Sequence, residues 1–257
     1  MSEANITETQ NTQTGQNLLT REAASLLSTL DMQEVSKVDT AALIVRMQSF
    51  SELMMEYECA LMEIETKLKV LNAEFSMQHN HNPLETIKSR IKDPVSIANK
   101  LKRKGLPISA EAIEANISDI AGIRVICSFP EDIYSVARLV EQQDDITIIA
   151  KKDYIRDPKP NGYRSLHLIV QVPIFLANQK VYKKVEIQFR TIAMDFWASL
   201  EHKLKYKKDV DNPQYIAAKL KNCAETIAVM DREMQEIKDL IEQELEEVDG
   251  KSSNSEL

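Results

Sequence analysis

Two long segments repeat apolar residues alternately every four and every three positions, and they flank a middle with different patterning. The first repeat consists of Leu43, Met47, Phe50, Met54, Tyr57, Leu61, Ile64, Leu68, Leu71 and Phe75. The second consists of Ile216, Leu220, Cys223, Ile227, Met230, Met234, Ile237 and Ile241. This spacing predicts one apolar stripe along each of two helices. The chain's own core or a neighbouring subunit could cover such stripes, and two of them around a middle with its own apolar elements favour self-association.

The middle of the chain mixes strand-like and helical runs. Four runs rich in β-branched residues cover 123–129, 146–155, 166–172 and 181–190, and a helical run at 131–143 follows the first. A last helix is expected to open near Thr191. The pattern predicts an α+β fold, with a mixed sheet of about four to five strands flanked by helices.

The segment before these strands is expected to be helical. Asn82-Pro83 predicts a helix start, Pro94 an interruption or restart, and Gly105 followed by Pro107 an end. A short helix over 109–117 would take Ser109 as its N-cap.

Composition excludes several classes of protein. The 257 residues include only 5 Gly and 8 Pro, which argues against a loop-rich β-sandwich. A membrane span needs about 18 consecutive apolar residues, and the sequence has no such run. The first twenty residues lack the features of a signal peptide and predict a disordered leader. Three widely spaced cysteines, Cys59, Cys127 and Cys223, predict reduced thiols in a cytoplasmic protein.

Charge is distributed unevenly along the chain. The net charge of −8 argues against a protein that coats nucleic acid. Residues 88–104 nevertheless carry seven basic side chains against one acid, and residues 151–164 carry five against two. Residues 231–257 carry ten acids against three bases. Such runs are usually solvated faces, but two basic clusters inside a folded middle suit a compact polyanion such as a nucleotide.

Two acids are candidates for chemistry. Strand alternation puts Glu186, Gln188 and Arg190 on one face of the run at 181–190, which forms either a site wall or an ordinary solvated face. Asp119 precedes a strand, where it could equally serve as a cap. Together the two carboxylates could hold Mg²⁺, which commonly binds one or two carboxylates and substrate phosphates.

The stretch PKPNGYRSLH, residues 158–167, predicts a rigid loop that presents Tyr163 beside Lys159 and Arg164. An aromatic ring next to cations suits a purine nucleotide, although a loop tyrosine that only packs on its neighbours is an equal alternative. The sequence has neither a GxxxxGK[ST] nor a GxGxxG motif, so side chains of Lys and Arg must hold any phosphates.

Four stretches resemble the synthetase domain of the RelA/SpoT family: SRIKDPVSIANKLKRKG, DIAGIRVICSF, DYIRDPKPNGYRSLH and VEIQFRTIAMDFWASLEHKLKYK. With long helical arms around that domain, the chain is similar to the small alarmone synthetases. The sequences of its motifs resemble those of the RelP branch of these proteins. The resemblance implies a disordered or weakly helical leader over 1–38, an N-terminal helical arm over 39–78, a synthetase domain over 79–210, and a C-terminal helix with an acidic tail over 211–257.

The resemblance implies transfer of the β,γ-pyrophosphate of ATP to the 3′-hydroxyl of GDP or GTP, with release of AMP, in the stringent response. It also implies Mg²⁺ as cofactor, a cytoplasmic location and a homotetramer built through the helical arms. The alternatives are a catalytically silent regulator of the same fold that binds nucleotides or RNA, and a helical interaction protein. DNA and membranes are not expected as partners, and RNA stays open.

Residue by residue, the resemblance implies the following roles. The metal-associated catalytic acids are Asp119 and Glu186, with Glu186 also near the attacking hydroxyl. The ATP-binding residues are Arg90, Lys92, Ser96, Lys100, Arg103 and Arg124. The residues that bind GDP or GTP are Lys152, Lys159, Asn161, Tyr163, His167 and Gln188. Some tetrameric members bind a regulatory alarmone at positions that read here as Thr86, Lys88 and Asp195, and the acid at Asp195 predicts weak or no activation by product.

Overall fold

A computed structural model describes residues 40–77, 82–205 and 212–253 of the chain. The predicted leader, residues 1–38, lies outside this range. The helices are α1 (Thr40–Met77), α2 (Pro94–Arg103), α3 (Ala110–Asn116), α4 (Pro130–Glu141), α5 (Ile192–Lys205) and α6 (Pro213–Ser253). The strands are β1 (Leu84–Ile91), β2 (Ala121–Cys127), β3 (Thr147–Asp153), β4 (Leu166–Phe175) and β5 (Lys180–Thr191).

The five strands form one mixed sheet in the order β1-β2-β5-β4-β3. The β2–β5 pair is parallel, and the other three pairs are antiparallel. Helices flank the sheet, so the predicted fold class is confirmed. The predicted short helix is also present, and the Ser109 hydroxyl accepts the Ala112 N–H at 3.2 Å.

The register aligns polar side chains across the middle of the sheet. Arg124 of β2 lies opposite Gln188 of β5, and Gln188 lies opposite His167 of β4. Glu186, two residues before Gln188, lies opposite Gly122. Directly paired residues and residues two apart in a strand share a face, so these side chains occupy one side of the sheet. The intervening positions, such as Ile187 and Phe189, are fully buried on the other side.

The apolar side of the sheet is covered by α1. Tyr57, Ile64 and Leu68 are at most 1% exposed and belong to the same core as Ile187 and Phe189 of β5. The expectation that the apolar stripes serve self-association is therefore wrong for the first stripe, because this helix buries it against its own sheet.

The helix predicted to start at Asn82-Pro83 is a strand, β1, and this prediction was wrong. The segment contains Glu, Lys and Arg, which favour helices intrinsically, but its backbone pairs with β2 from Leu84 to Ile91. Tertiary pairing outweighs such weak local preferences. Helix α2 begins only at Pro94, after Asp93, whose side chain accepts the Ser96 N–H.

The second apolar stripe has a different environment. On α6 the buried line consists of small or polar residues, Ala224, Ala228, Asp231 and Gln235. Three large residues of the predicted stripe, Met230, Met234 and Ile237, are at least 50% exposed. Among the described residues, no helix is long and apolar enough to cross a membrane.

Candidate active site

The polar face of the sheet opens into a cavity of about 490 Å³, counting the space at its mouth. Its lining consists of Lys88, Ser89, Arg90, Asp119, Gly122, Ile123, Arg124, Glu186 and Gln188. β1 and β2 contribute most of the cations, and both candidate carboxylates reach the same space. The structure thus brings together acids and bases that lie almost 100 positions apart in sequence.

Asp119 is held between two lysines. Its Oδ2 lies 2.8 Å from Nζ of Lys92, which follows β1, and its Oδ1 lies 2.8 Å from Nζ of Lys100 on α2. Burial of Asp119 opposes ionisation, but the hydrogen bonds and charges of Lys100 and Lys92 outweigh it and lower the pKa of the carboxyl group below its usual value. Asp119 is therefore a carboxylate with two cations already beside it.

Glu186 is fixed by its neighbours in the sheet. Its Oε1 lies 3.0 Å from Nδ1 of His167, and its Oε2 accepts a hydrogen bond of 2.8 Å from Nε2 of Gln188. Burial raises the pKa of Glu186, the contacts with His167 and Gln188 lower it, and the charge of Asp119 raises it again; the net shift is downward. Glu186 therefore presents an ionised carboxylate to the cavity.

The two acids fit a divalent cation of the Mg²⁺ type. Both are ionised, both line the same cavity, and the charge of one is felt at the other. Mg²⁺ commonly takes one or two protein carboxylates and completes its shell with water and substrate phosphates.

Tyr163 lies in the loop between β3 and β4, next to His167 on the polar face of the sheet. Its hydroxyl is 2.8 Å from Nε2 of His167 and accepts a hydrogen bond of 2.8 Å from Nη2 of Arg190. Nζ of Lys159 lies 4.8 Å from the centre of its ring. The amide side chain of Asn161 closes the loop by accepting the Tyr163 N–H at 3.2 Å. The loop therefore orients an aromatic ring beside Lys159, as the sequence predicts, and beside Arg190, which was not predicted there.

Helix α6 supports this loop from behind. Gly162 has a φ of +90°, and a Cβ there would lie 2.6 Å from the Cβ of Ala224. Nη1 of Arg164 donates hydrogen bonds to the carbonyl oxygens of both Gly162 and Ala224. Arg164, expected beside a ligand, is instead used to attach the loop to α6.

Ser96, Arg103 and Lys152 are predicted nucleotide-binding residues that lie outside the lining of the cavity. Ser96 and Arg103 are exposed on α2 and do not line the cavity, but their spacing puts them on the same helix face as Lys100. Lys152 is exposed on β3, directly opposite His167 in the sheet, so it faces the same side as the row of polar residues.

Arg190 has no role that the sequence predicts. This residue is only 5% exposed, and its guanidinium donates to Tyr163, to Oε1 of Gln188 at 3.1 Å and to Oδ1 of Asp195 at 2.9 Å. The alternation that put it on the same face as Glu186 and Gln188 was the available signal. Its central position depends on α5, because Asp195 lies in the first turn of that helix.

The sequence matches known proteins over this domain and its helical arms. A family model described as a region found in RelA / SpoT proteins matches residues 89–211. The GTP pyrophosphokinase YwaC of Bacillus subtilis is 48% identical over 192 residues, which are 75% of this chain and 91% of that protein. The chain belongs to the RelA/SpoT family.

Other RelA/SpoT family members agree with this assignment. The GTP pyrophosphokinase YjbM of Bacillus subtilis is 35% identical over 191 residues, 74% of this chain and 89% of that protein. Among solved structures, small alarmone synthetase 2 of Bacillus subtilis matches with a TM-score of 0.66 and 47% identity, over 74% of this chain and 97% of that one. Small alarmone synthetase 1 of the same organism, bound to its product pppGpp, matches with a TM-score of 0.69 and 35% identity, over 75% and 97%. The predicted resemblance is confirmed.

Proposed function

We propose that this chain transfers the β,γ-pyrophosphate of ATP to the 3′-hydroxyl of GDP or GTP and releases AMP, as an alarmone synthetase of the stringent response. The observation that carries the proposal is one cavity that holds two ionised carboxylates, Asp119 and Glu186, inside a ring of lysines and arginines. Two polyphosphates repel each other, so a site that joins them needs concentrated positive charge in a fixed geometry.

The donor half of the site is formed by β1, β2 and α2. Arg90 and Arg124 lie on neighbouring strands at the cavity and would hold the adenine between their guanidinium planes. Lys92 and Lys100, already paired with Asp119, would turn toward the phosphates, with Ser96 and Arg103 further along the same face of α2. Charge-assisted hydrogen bonds to desolvated phosphate contribute roughly 1.5–3 kcal/mol each, against about 0–1 kcal/mol for exposed ion pairs.

The acceptor half is formed by β4, β5 and the loop between β3 and β4. Tyr163 would stack on the guanine beside Lys159 and Asn161, and Lys152 would reach the acceptor phosphates from β3. His167 and Gln188 connect this ring to Glu186. The acceptor's ribose would therefore lie near Glu186 while its base lies on Tyr163.

Glu186 would act on the attacking hydroxyl. The 3′-oxygen of the acceptor forms a bond to the β-phosphorus of ATP, the bond from that phosphorus to the α,β-bridging oxygen breaks, and AMP leaves with the electron pair. The hydroxyl proton passes to the Glu186 carboxylate, whose oxygens each keep a lone pair beyond the bonds to His167 and Gln188.

Mg²⁺ would be held by Asp119 and Glu186 and would supply charge neutralisation of the transferred phosphates. ATP and guanine nucleotides occur in the cytoplasm, where we place the protein. The exposed apolar residues of α6 support self-association, and we propose a homotetramer in which α6 contributes to the interface.

The activity is tested by incubating the protein with γ-labelled ATP, Mg²⁺ and GDP or GTP. Label in a guanosine product is expected, and its absence with every acceptor, despite nucleotide binding, would favour a silent regulator. Glu186→Gln should lower turnover by about 10²–10⁴-fold or more and leave nucleotide affinity and Tm nearly unchanged. Glu141→Gln is the matched control, because Glu141 pairs with the surface residue Lys151 and does not line the cavity, so this variant should turn over normally.

The acceptor site is tested at Tyr163. Tyr163→Ala should weaken acceptor binding by about 1–3 kcal/mol if the ring stacks on the base. Tyr163→Phe keeps the ring but loses the hydroxyl bonds to His167 and Arg190, so it separates stacking from hydrogen bonding. Equal affinity of the Ala variant and the unchanged protein for GDP in calorimetry would show that the ring only packs on the loop.

A further inference from the structure

Asp195 is placed where the two halves of the site meet. It lies in the first turn of α5, and that helix begins directly after β5 ends at Thr191. A carboxylate is favoured at a helix N-terminus, where backbone N–H groups point toward it. Because α5 continues the strand that carries Glu186 and Gln188, the position of Asp195 is tied to that strand.

Two arginines meet on a single oxygen of Asp195. Nη1 of Arg190 donates to Oδ1 at 2.9 Å, and Nη1 of Arg124 lies 3.2 Å from the same Oδ1. Burial lowers the pKa of Arg124, and the charge of Arg190 lowers it further while Asp195 raises it. Within the described part of the chain, Nε of each arginine is buried without a hydrogen-bond partner. The carboxylate therefore holds together two cations that repel each other.

These arginines belong to different halves of the site. Arg124 lines the cavity at its donor side. Arg190 holds the Tyr163 hydroxyl at 2.8 Å and Oε1 of Gln188 at 3.1 Å, both on the acceptor side. Gln188 in turn donates to Glu186. A continuous path thus runs from Arg124 through Asp195 and Arg190 to the ring and the acid of the acceptor half.

We propose that Asp195 is a positioning residue that couples donor and acceptor binding, so that occupation of one half tightens the other; the inference rests on the proposed function. A ligand that engages Arg124 on the donor side draws it from Oδ1. Oδ1 of Asp195 then binds Arg190 alone, and the bond between them strengthens. Arg190 in turn holds Tyr163 and Gln188 in the orientation that binds the acceptor. By linkage, the acceptor raises the affinity for the donor by the same factor.

The coupling is measured by calorimetry with two ligands. The Kd of GDP is determined alone and with saturating α,β-methylene ATP, an analogue in which the bond that breaks is replaced. In the unchanged protein the Kd of GDP should fall by about 5-fold or more, the lower range of typical coupling. In Asp195→Asn, which keeps the size but loses the charge, the ratio of the two Kd values should approach one.

Matched variants separate coupling from a general loss of structure. Asp145→Asn removes an equivalent carboxylate from its ion pair with Lys67, outside the cavity lining, and should keep the full ratio. Asp195→Glu restores the charge and should recover part of the ratio. If Asp195 had a purely structural role, Asp195→Asn would lower the affinity for each ligand alone, or the Tm. The ratio of the Kd of GDP alone to the Kd of GDP with the ATP analogue would then stay unchanged.

Two results would overturn the proposal. One is a ratio of the two Kd values of GDP equal to one in the unchanged protein, and the other is a ratio in Asp195→Asn as large as in the unchanged protein. If Asp195→Asn does not fold, the first result is still decisive, and Arg190→Lys, which cannot bridge Asp195 and Tyr163 together, should also bring the ratio to one. Failure of the proposed function has a different signature, because the single-ligand titrations would show no binding or the labelled assay no guanosine product.

Discussion

Helices α1 and α6 carry the same apolar spacing, yet the fold uses them differently. In α1 the repeat is the core, with Leu68 fully buried and Tyr57 and Ile64 each 1% exposed. In α6 the corresponding residues Met234 and Ile237 are 54% and 50% exposed. The period of a pattern reports which side of a helix is apolar; it does not report which surface, if any, covers that side.

The difference follows from what each helix contacts. α1 crosses the apolar face of a five-stranded sheet, which offers a wide surface for large side chains. α6 approaches α5 and the loop between β3 and β4 closely, and only small residues such as Ala224 and Ala228 fit there. Its inward contacts also include hydrogen bonds, for example from the Thr191 hydroxyl to Oδ2 of Asp231 at 2.7 Å.

The strongest test of the comparison lies in α1. Leu68→Ala should lower the free energy of unfolding by about 2–5 kcal/mol, because the removed atoms leave a cavity between helix and sheet. Urea denaturation measures this loss. Val70→Ala on the same helix is the control, since Val70 is 62% exposed and its truncation should have little effect. Equal losses for the two variants would contradict the assigned burial.

The next test addresses the contact of α6 with the loop. Gly162→Ala places a methyl group against Ala224 and also strains a residue with φ of +90°, so stability and acceptor affinity should both fall. Overpacking of this kind costs typically about 1–3 kcal/mol. Gly105→Ala is the control, because Gly105 also has a positive φ, +68°, but nothing lies within 4 Å of its added Cβ.

A double variant isolates the packing part of that effect. Ala224→Gly removes the methyl that Gly162→Ala would meet, so the combination should recover more stability than additivity predicts. Strict additivity of the two changes would mean that the backbone conformation of the loop, and not α6, determines the requirement for Gly162.

A smaller effect on stability, but a large one on assembly, is expected on the outer face of α6. Met234→Gln should change the free energy of unfolding of one chain by less than about 0.5 kcal/mol and should weaken self-association measured by light scattering. Met62→Gln is the control, because Met62 is 59% exposed on α1 and Met234 is 54% exposed on α6. A loss of assembly with Met62→Gln alone would assign the interface to α1 instead.

The smallest effect is expected at Asp231. Burial raises the pKa of this carboxyl group above 3.8, and the Thr191 hydroxyl and Arg164 compensate only in part. The stability linked to a raised pKa is present below the unfolded value and is lost as pH rises through the folded value. Asp231→Asn, which stays neutral, should therefore have a slightly higher Tm at pH 7, and the gain should vanish as the pH falls below the unfolded value. Glu233→Gln, exposed on the same helix, is the control for the loss of one carboxylate from α6.

Much of the fold and part of the site could be predicted from local pattern. The four predicted strands match β2 to β5 within a few residues, since β-branched runs and turns are local signals. Strand β1 was missed because its eight residues include only three large apolar ones and owe their conformation to pairing with β2.

The sequence by itself determined the α+β class and the basic clusters at 88–104 and 151–164, because residue type and spacing carry this information. It indicated Asp119 and Glu186 as candidate acids chiefly through the resemblance to the RelA/SpoT family. Only the tertiary structure decided that α1 is core while the outer face of α6 is open, and that Arg190 and Asp195 connect Arg124 with Tyr163 and Gln188. Those contacts join elements from separate parts of the chain, and their distances depend on strand register and helix placement, which no local pattern encodes.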